Sequence, residues 1–360
     1  MKKLYEQLPE RICAWYAQNR RELPWRETRD PYLVWVSEIM LQQTRVEAVK
    51  PYYTRFTEEL PDVEALAACP EDRLLKLWEG LGYYSRVRHM QEAAQLLVQE
   101  QMPERGGKAV LPDDPAALRR LPGIGSYTAG AIASIAYQIR VPAVDGNVLR
   151  ILARLQADER DVRKASVKYE AESRLQEALQ SCSAPGDFNQ GMMDLGAGVC
   201  LPKVQPLCEA CPLADLCEAH KQEKETSFPV RSKAKDRRIE QRTILLIRDG
   251  DRVVLTRRPA KGLLAGLYEF PNLPGFKSRQ EVLQTAEAMD LQPLYIRELD
   301  RAKHLFSHVE WQMCGYEIRI AGFTSAGTSA AAPWFLAEIG QMEKEYPIPS
   351  AYKAYVKYLQ

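Results

Sequence analysis

The sequence lacks long hydrophobic runs. No apolar stretch reaches the length that spans a bilayer. The first six residues, Met1 to Glu6, also lack the apolar core of a secretory signal peptide. We therefore expect a cytoplasmic protein that makes no contact with a membrane.

The net charge of the chain is also small. The formal charge of the 360-residue chain is only +1, so binding to nucleic acid must use local basic patches and backbone donors instead of a global field. This argues against a protein that coats DNA nonspecifically. The chain has no internal repeat, and because nothing in it suggests a coiled coil or an apolar face for self-association, we expect a monomer.

The composition supports two folded domains. Hydrophobic residues make up 46% of the chain and charged residues 27%, which is typical of globular proteins. Apolar residues at helical spacing, as in 90–99 and 169–179, predict an all-α domain over residues 1–220. Residues 221–240 are polar and basic and indicate a linker.

The remainder, residues 241–360, changes its periodicity. Two β-branched runs, 243–247 and 252–256, flank the turn residues Asp249, Gly250 and Asp251 and predict a hairpin. Residues 311–320 predict a further strand, and residues 282–289 and 351–359 predict two helices. We expect an α+β domain here.

Half of the eight cysteines lie in one short segment, as Cys200, Cys208, Cys211 and Cys217. In a cytosolic protein such a cluster indicates a metal more often than disulfides. Four thiolates suit zinc or an iron–sulfur cluster, and free structural cysteines are the alternative. Zinc ribbons usually pair two Cys-x2-Cys knuckles, whereas this loop has only one. The spacing therefore favours a [4Fe–4S] cluster.

A glycine hairpin precedes a helix of small residues. Gly123 and Gly125 flank one apolar residue, and Thr128 lies just inside the helix. Glycines let backbone N–H groups point outward at a helix N-terminus, where they attract phosphate. An ordinary helix–helix turn is the alternative, but Asp145 follows about one helix length later. This arrangement resembles the helix-hairpin-helix and catalytic aspartate of DNA base-excision glycosylases.

Asp30-Pro31 predicts another helix start. The predicted helix carries on one face Val34, Glu38, Leu41, Gln42 and Arg45. If Glu38 is buried between its apolar neighbours, its pKa is raised, as a general acid near neutral pH requires. The alternative is a solvated glutamate paired with Arg45 or Lys50, and only the presence of Asp145 favours the catalytic interpretation.

Together these features resemble the MutY family of adenine-specific mismatch DNA glycosylases across nearly the whole chain. The similar blocks are residues 23–26, 35–46, 78–86, 121–128, 143–148 and 306–308, with the cysteine loop 200–217. Some blocks are shared with endonuclease III relatives. Gln42 to Arg45, Trp78 to Tyr84 and Phe306-Ser307-His308 are more specific to this family.

The resemblance implies excision of adenine opposite 8-oxoguanine or guanine in double-stranded DNA, after the adenine is flipped out. Glu38 would protonate N7 of adenine, and ionised Asp145 would stabilise the oxocarbenium-like sugar or trap it covalently. Tyr127 would hydrogen-bond Asp145, and Asn147 would position water. Such an enzyme would act on the nucleoid of a bacterial cell.

The resemblance also implies a set of substrate contacts. Trp25 and Arg26 would line the adenine pocket, and the tripeptide Phe306-Ser307-His308 would reach 8-oxoguanine. On the opposite strand Gln43 and Tyr83 would wedge into the base stack, with Leu81 beside them and Thr44 near the lesion. The predicted DNA- and substrate-binding set is completed by Leu41, Arg45, Gly123, Gly125 and Gln190. Two positions depart from the family: Gln190 replaces a common glutamate, and the first cysteine spacing is seven residues instead of six.

Tyr127 separates two enzyme classes. Bifunctional relatives carry a lysine there, whose amine forms a Schiff base with the sugar and leads to strand cleavage. A tyrosine cannot do so, and we expect base removal without an efficient lyase step. The alternatives are an endonuclease III-like glycosylase/lyase and an inactive iron–sulfur module that only binds DNA.

The second domain resembles the MutT-like (Nudix) fold, through the block from Gly262 to Pro271. A Nudix hydrolase of oxidised nucleotides is therefore a further alternative. The glutamate-rich metal-binding helix of such hydrolases is missing after Pro271, where only Glu281 and Glu287 remain. We therefore expect this domain to recognise the lesion and not to hydrolyse nucleotides. For Phe306-Ser307-His308 alone, a strand-edge turn without a partner is the alternative.

Overall fold

The computed structural model describes residues 2–105, 108–232, 236–289, 291–321 and 334–359. The chain divides into two compact units. The first unit comprises residues 1–69 and 85–233, and the second comprises residues 70–84 and 234–360.

Helices dominate the first unit and also occur in the second. In chain order they are α1 (Lys2–Asn19), α2 (Pro31–Leu41), α3 (Val46–Glu59), α4 (Val63–Ala68), α5 (Glu71–Leu77), α6 (Ser85–Arg105), α7 (Pro115–Leu118), α8 (Ser126–Tyr137), α9 (Gly146–Gln156), α10 (Ala165–Ala178), α11 (Pro185–Asp194), α12 (Glu218–Lys221), α13 (Arg279–Ala288), α14 (Ile339–Glu345) and α15 (Lys353–Val356). None of the described helices combines the length and hydropathy needed to cross a bilayer.

The start of α2 follows from the sequence. The Asp30 carboxylate accepts hydrogen bonds from the N–H groups of Tyr32 at 2.8 Å and Leu33 at 3.3 Å, and Pro31 occupies the first turn. In the first unit, α2 packs against α8, and α11 packs against both α1 and α8. Their packing places the ends of helices distant in sequence around one cleft.

The second unit contains a mixed sheet. Its strands are β1 (Arg238–Asp249), β2 (Arg252–Arg257), β3 (Tyr268–Glu269), β4 (Asn272–Pro274), β5 (Pro293–Leu305), β6 (Val309–Ile320) and β7 (Trp334–Glu338). The main path is β3-β2-β1-β6-β5, with β4 beside β1 and β7 beside β2. β1 and β6 are parallel, and Thr243 lies opposite Cys314. One face is covered by α13 and the other by α14 and α15, so each face has its own apolar core.

Most predicted elements of the second unit are confirmed. The runs 243–247, 252–256 and 311–320 lie in β1, β2 and β6, and α13 covers most of 282–289. The helix predicted over 351–359 is wrong in extent, because a 3-10 turn (Ser350–Tyr352) precedes α15, which ends at Val356. Apolar spacing of three or four residues does not distinguish these two helix types.

The predicted linker, residues 221–240, contains structure at both ends. α12 ends at Lys221, and β1 already begins at Arg238. Residues 233–235 lie outside the described residues. The boundaries of the glycosylase and MutT-like domains stay a prediction.

Candidate active site

Glu38 and Asp145 line one cleft of about 610 Å³ in the first unit. Its walls come from α2, α8, α9, α11 and the segment before α2. The predicted site residues in this cleft are Trp25, Arg26, Glu38, Leu41, Thr44, Arg45, Tyr127, Asp145, Asn147 and Gln190. Two carboxyl groups that lie far apart in the sequence thus face a common cavity.

Glu38 lies on α2 and is only 4% exposed. Burial raises the pKa of this carboxyl to about 7. The hydrogen bond from Tyr127 and the charge of Arg26 oppose the pKa increase, whereas the charge of Asp145 adds to it. A carboxyl with this pKa holds a proton near neutral pH and releases it readily.

Asp145 caps the N-terminus of α9. Its Oδ1 accepts hydrogen bonds from the backbone N–H groups of Asn147 at 2.8 Å and Val148 at 2.9 Å, and its Oδ2 accepts one from Asn147 Nδ2 at 2.8 Å. Burial raises the pKa of Asp145, while these hydrogen bonds and the charge of Arg150 lower it. All three donors stabilise the ionised form, as does the helix N-terminus.

The predicted hydrogen bond between Tyr127 and Asp145 is wrong. The Tyr127 hydroxyl instead donates to Glu38 Oε2 at 2.8 Å and lies 3.7 Å from Met193 Sδ. The reason is the packing of α8 against α2, which carries Glu38. Asp145 meanwhile uses its oxygens to cap α9.

Arg150 connects the Asp145 site with the cysteine loop. Its Nη2 donates to Asn147 Oδ1 at 3.1 Å and to the carbonyl of Gly196 at 2.7 Å, while its Nε donates to the carbonyl of Cys200 at 2.9 Å. Arg150 is only 3% exposed. This buried guanidinium fixes the Asn147 amide that in turn holds Asp145.

The cysteines of the predicted metal loop lie beside α9. Arg154 donates to Cys200 Sγ at 3.2 Å, and Cys217 Sγ lies 3.4 Å from the Arg154 carbonyl. Burial raises the pKa of Cys208 to about 11 and that of Cys211 to about 12, and neighbouring thiols contribute to both pKa increases. The four thiols therefore form one group, which suits a shared metal centre.

Among the described residues, the group of at least three histidine, cysteine or acidic side chains whose donor atoms all lie within 4.8 Å of one another is Cys208, His220 and Glu225. Four sulfurs around a single zinc would lie roughly 3.8 Å apart, given the usual zinc–sulfur distance. No three of the four cysteine sulfurs form a group within even 4.8 Å. This spread favours a larger centre over one zinc ion.

Comparison with known proteins identifies the family. A model of the HhH-GPD superfamily of base excision DNA repair proteins matches residues 36–177, and a NUDIX domain model matches residues 243–358. The adenine DNA glycosylase of Rattus norvegicus is 34% identical over 88% of this chain and 71% of its own length. The chain belongs to the adenine DNA glycosylase family.

A second relative, the adenine DNA glycosylase of Buchnera aphidicola subsp. Acyrthosiphon pisum, is 32% identical over 85% of this chain and 84% of its own. A solved thermostable thymine-DNA glycosylase is 27% identical, with a TM-score of 0.53, and covers 61% of this chain and 98% of its own. The predicted fold class, an all-α glycosylase domain followed by an α+β Nudix-like domain, is confirmed.

The glycine hairpin of this glycosylase takes the expected form. Gly123 has φ +76°, and a Cβ there would lie 2.7 Å from His89 Cβ. Gly125 precedes α8, whose first turn has no side-chain cap. The N–H groups of that turn are therefore not capped by a side chain, as phosphate binding requires.

The helix carrying Glu38 is shorter than predicted. α2 ends at Leu41, so the expectation that Gln42 and Arg45 continue its face is wrong. Gln43 takes φ +58°, and Arg45 occupies the N-cap position of α3 without a side-chain capping bond. The turn leaves Gln43 exposed while Thr44 and Arg45 line the cleft.

Two more predicted stack contacts lie in the second unit. Tyr83 is 45% exposed and has φ +49°, whereas Leu81 is buried at 6%. Residues other than glycine are uncommon at positive φ and are often found at ligand contacts. Tyr83 thus has the exposure expected of a side chain that enters the base stack, and Leu81 is part of the hydrophobic core.

Phe306, Ser307 and His308 form the turn between β5 and β6. Ser307 and His308 are exposed, and Ser307 Oγ lies 3.0 Å from His308 Nδ1. The Phe306 ring packs edge-on against Trp311 at 4.9 Å. The aromatic contact anchors the turn and leaves two polar side chains available to a ligand.

The Nudix-like domain contains no group of three acidic side chains, among its described residues, close enough to share a metal ion. Glu281 forms a capping box with Ser278 at the start of α13, and this hydrogen bonding lowers its pKa to about 2. Its carboxylate thus stabilises a helix. The loss of metal-dependent hydrolysis stays a prediction.

Sequence reasoning missed Met193 and Arg21, which line the same cleft as Trp25 and Arg26, and Asp194, which binds Arg26. Trp25 is buried and packs edge-on against Tyr53 at 5.3 Å. The only signal for Asp194 was an acidic residue within an otherwise apolar run from Met192 to Leu195. Its partners could not be read from the sequence.

Proposed function

We propose that this enzyme removes adenine mispaired with 8-oxoguanine or guanine in double-stranded DNA, by hydrolysis of the N-glycosidic bond and without strand cleavage. The observation that carries the proposal is the single cleft containing buried Glu38 and capped Asp145. Flipping of adenine into this cleft would place the nucleoside between the two carboxyl groups.

Glu38 would act as the general acid. With a pKa of about 7 it carries a proton at neutral pH in a large fraction of molecules. Transfer of this proton to N7 of adenine makes the base a neutral leaving group. Trp25 and Arg26 would line the base pocket, and Gln190 replaces the glutamate common in the family.

Asp145 would act on the sugar. Its hydrogen bonds favour the carboxylate, and a carboxylate stabilises the positive charge that develops at C1′ as the base departs, or bonds to C1′ until water attacks. Asn147, held by Arg150, would help to position that water. In glycoside hydrolysis, two carboxyl groups in different environments generally take separate roles.

Hydrolysis without strand cleavage is supported by the residues around the cleft. Tyr127 offers a phenol where a lyase needs an amine, and no lysine belongs to the described cleft lining. Gly123 and Gly125 would bind a backbone phosphate, Gln43 and Tyr83 would enter the base stack, and Ser307 and His308 would contact 8-oxoguanine.

Cys200, Cys208, Cys211 and Cys217 would hold a [4Fe–4S] cluster. What supports a metal centre is the short loop that carries four cysteines beside α9, with Arg154 donating to Cys200 Sγ at 3.2 Å, since metal binding requires thiolates and a nearby cation stabilises them. The cluster would supply a structural cross-link for the loop. Arg150 and Arg154 then attach this loop to α9, the helix that Asp145 caps.

A single-turnover assay tests the proposal. A duplex with one adenine opposite 8-oxoguanine is incubated with enzyme, and the products are analysed with and without alkali. We expect strand breaks only after alkali and no covalent adduct on borohydride reduction. Spontaneous nicking with an adduct would indicate a lyase of the endonuclease III type, and binding without base loss would indicate an inactive module.

Two further expectations belong to the same proposal. The enzyme would act as a monomer, which sedimentation at assay concentrations measures directly. Action on chromosomal DNA would place it at the bacterial nucleoid, which imaging of a fluorescent fusion would show.

A further inference from the structure

Asp194, the last residue of α11, binds two arginines at the wall of the cleft. Its side chain is only 2% exposed. Arg26 forms a two-point contact with both carboxylate oxygens, with Nη2 2.8 Å from Oδ1, and Arg21 Nε lies 2.6 Å from Oδ1. Such parallel hydrogen bonds fix both the position and the plane of a guanidinium.

Both arginines line the cleft together with Glu38. The side chain of Arg26 is 10% exposed, so solvent screens its charge poorly. An uncompensated cation at this place would favour the ionised form of Glu38 and remove the proton that the reaction needs. Asp194 supplies the compensating negative charge in direct contact with Arg26.

We propose that Asp194 is a positioning residue of this active site: it holds Arg26 and Arg21 against the cleft and prevents Arg26 from ionising the acid Glu38. The proposal rests on the proposed function, because it concerns the acid of the same reaction. Asp194 itself touches neither the base nor the sugar in this scheme.

Other groups also act on Glu38 and stay constant in the test. Tyr127 on α8 donates to its carboxyl, and Asp145 at the start of α9 repels its charge. Arg45 and Glu47, around the start of α3, line the same cleft with opposite charges. Asp194→Asn changes none of these groups.

Two measurements on the full-length protein test the proposal: the titration midpoint of the Glu38 carboxyl, by carbon-13 NMR without DNA, and the single-turnover rate of adenine release against pH. In Asp194→Asn the midpoint should fall by about one pH unit, since Arg26 loses its counter-charge. The alkaline limb of the rate profile should move by the same amount, so that the rate on that limb falls about tenfold. Affinity for the duplex should change much less.

In the double variant Arg26→Gln with Asp194→Asn, the titration midpoint of Glu38 should shift in the opposite direction. The double variant also removes Arg26, the cation whose charge acts on Glu38, so the Glu38 midpoint should rise above that of the unmodified protein. Arg21 loses Asp194 as a partner too, but its side chain is 37% exposed and does not become an unpaired buried charge. Asp194→Glu should restore part of the original profile. Asp158→Asn is the matched control: it breaks another aspartate–arginine pair, with Arg160 at 2.7 Å, outside the cleft, and should leave both readouts unchanged.

A folded Asp194→Asn protein with an unchanged or raised Glu38 midpoint would overturn the proposal. So would a loss of affinity with an unchanged pH profile, which would mean a structural role only. The NMR titration needs no substrate. A failure of the proposed function, seen as no adenine release by the unmodified protein, is therefore distinguishable from a failure of the Asp194 proposal.

Discussion

The hydroxyl of Tyr127 donates a hydrogen bond to Oε2 of Glu38 at 2.8 Å. This bond stabilises the carboxylate and lowers the pKa of Glu38, against the larger effect of burial, which raises it. The pKa of about 7 is therefore a balance between the two. Tyr127 affects the acid and not, as the sequence suggested, the aspartate.

Tyr127→Phe should raise the pKa of Glu38, because it removes the hydrogen bond that favours the carboxylate. The acid then stays protonated to higher pH, and the alkaline limb of the single-turnover rate profile should move to higher pH. Tyr169→Phe, at a position 74% exposed on α10, is the control and should have no effect. A limb that moves to lower pH would contradict the assignment.

Glu38→Gln should abolish adenine release, with a loss of about 100-fold or more, because glutamine has no proton to donate. It should also stabilise the protein at high pH. Burial raises the pKa of Glu38 from 4.5 to about 7. The contribution of protonated Glu38 to the free energy of unfolding is therefore fully present below pH 4.5 and is lost as the pH rises through 7. The free energy of unfolding falls by about 3 kcal/mol over this pH range. Glutamine does not ionise, so the Glu38→Gln variant avoids this decrease.

Urea unfolding at pH 5 and pH 8 measures this difference. The gain from Glu38→Gln should be clear at pH 8 and much smaller at pH 5. Glu58→Gln, at an exposed position on α3, should show no such pH dependence. An equal effect of Glu38→Gln at both pH values would mean that Glu38 is not buried as described.

Asp145→Asn should abolish catalysis while sparing DNA binding and stability. Asparagine caps a helix about as well as aspartate but carries no negative charge for the sugar cation. Asp145→Ala should be equally inactive and also about 1 kcal/mol less stable, since α9 loses its cap. If Asp145→Asn releases adenine normally, the role assigned to Asp145 is wrong.

Ser307→Ala with His308→Ala should reduce the preference for adenine opposite 8-oxoguanine over adenine opposite guanine. Both side chains are exposed at the β5–β6 turn, so thermal stability should not change. Rates on the two duplexes, compared in one experiment, give the preference. Asp251→Asn, at the β1–β2 turn, is the control, and a preference that is lost there too would contradict a specific role for the tripeptide.

Much of the local structure was readable from the sequence, because it depends on residues near in the chain. Asp30 and Pro31 begin a helix through side-chain capping and a preset φ, and the β-branched runs around Gly250 form a hairpin. The clustering of four cysteines and the hairpin at Gly123 are also local patterns. These features, with the family resemblance, determined the fold class and the candidate residues.

Tertiary structure alone decided which polar groups meet. Tyr127 and Glu38 are 89 positions apart, and Arg26 and Asp194 are 168 positions apart. No local pattern encodes such pairs, because they arise only when α8 packs on α2 and α11 lies beside the segment before α2. Burial and these partners determine the protonation of the acid. Glu38 and Asp145 were therefore visible in the sequence as candidates, whereas Asp194 and the pKa of Glu38, on which the proposed chemistry depends, were not.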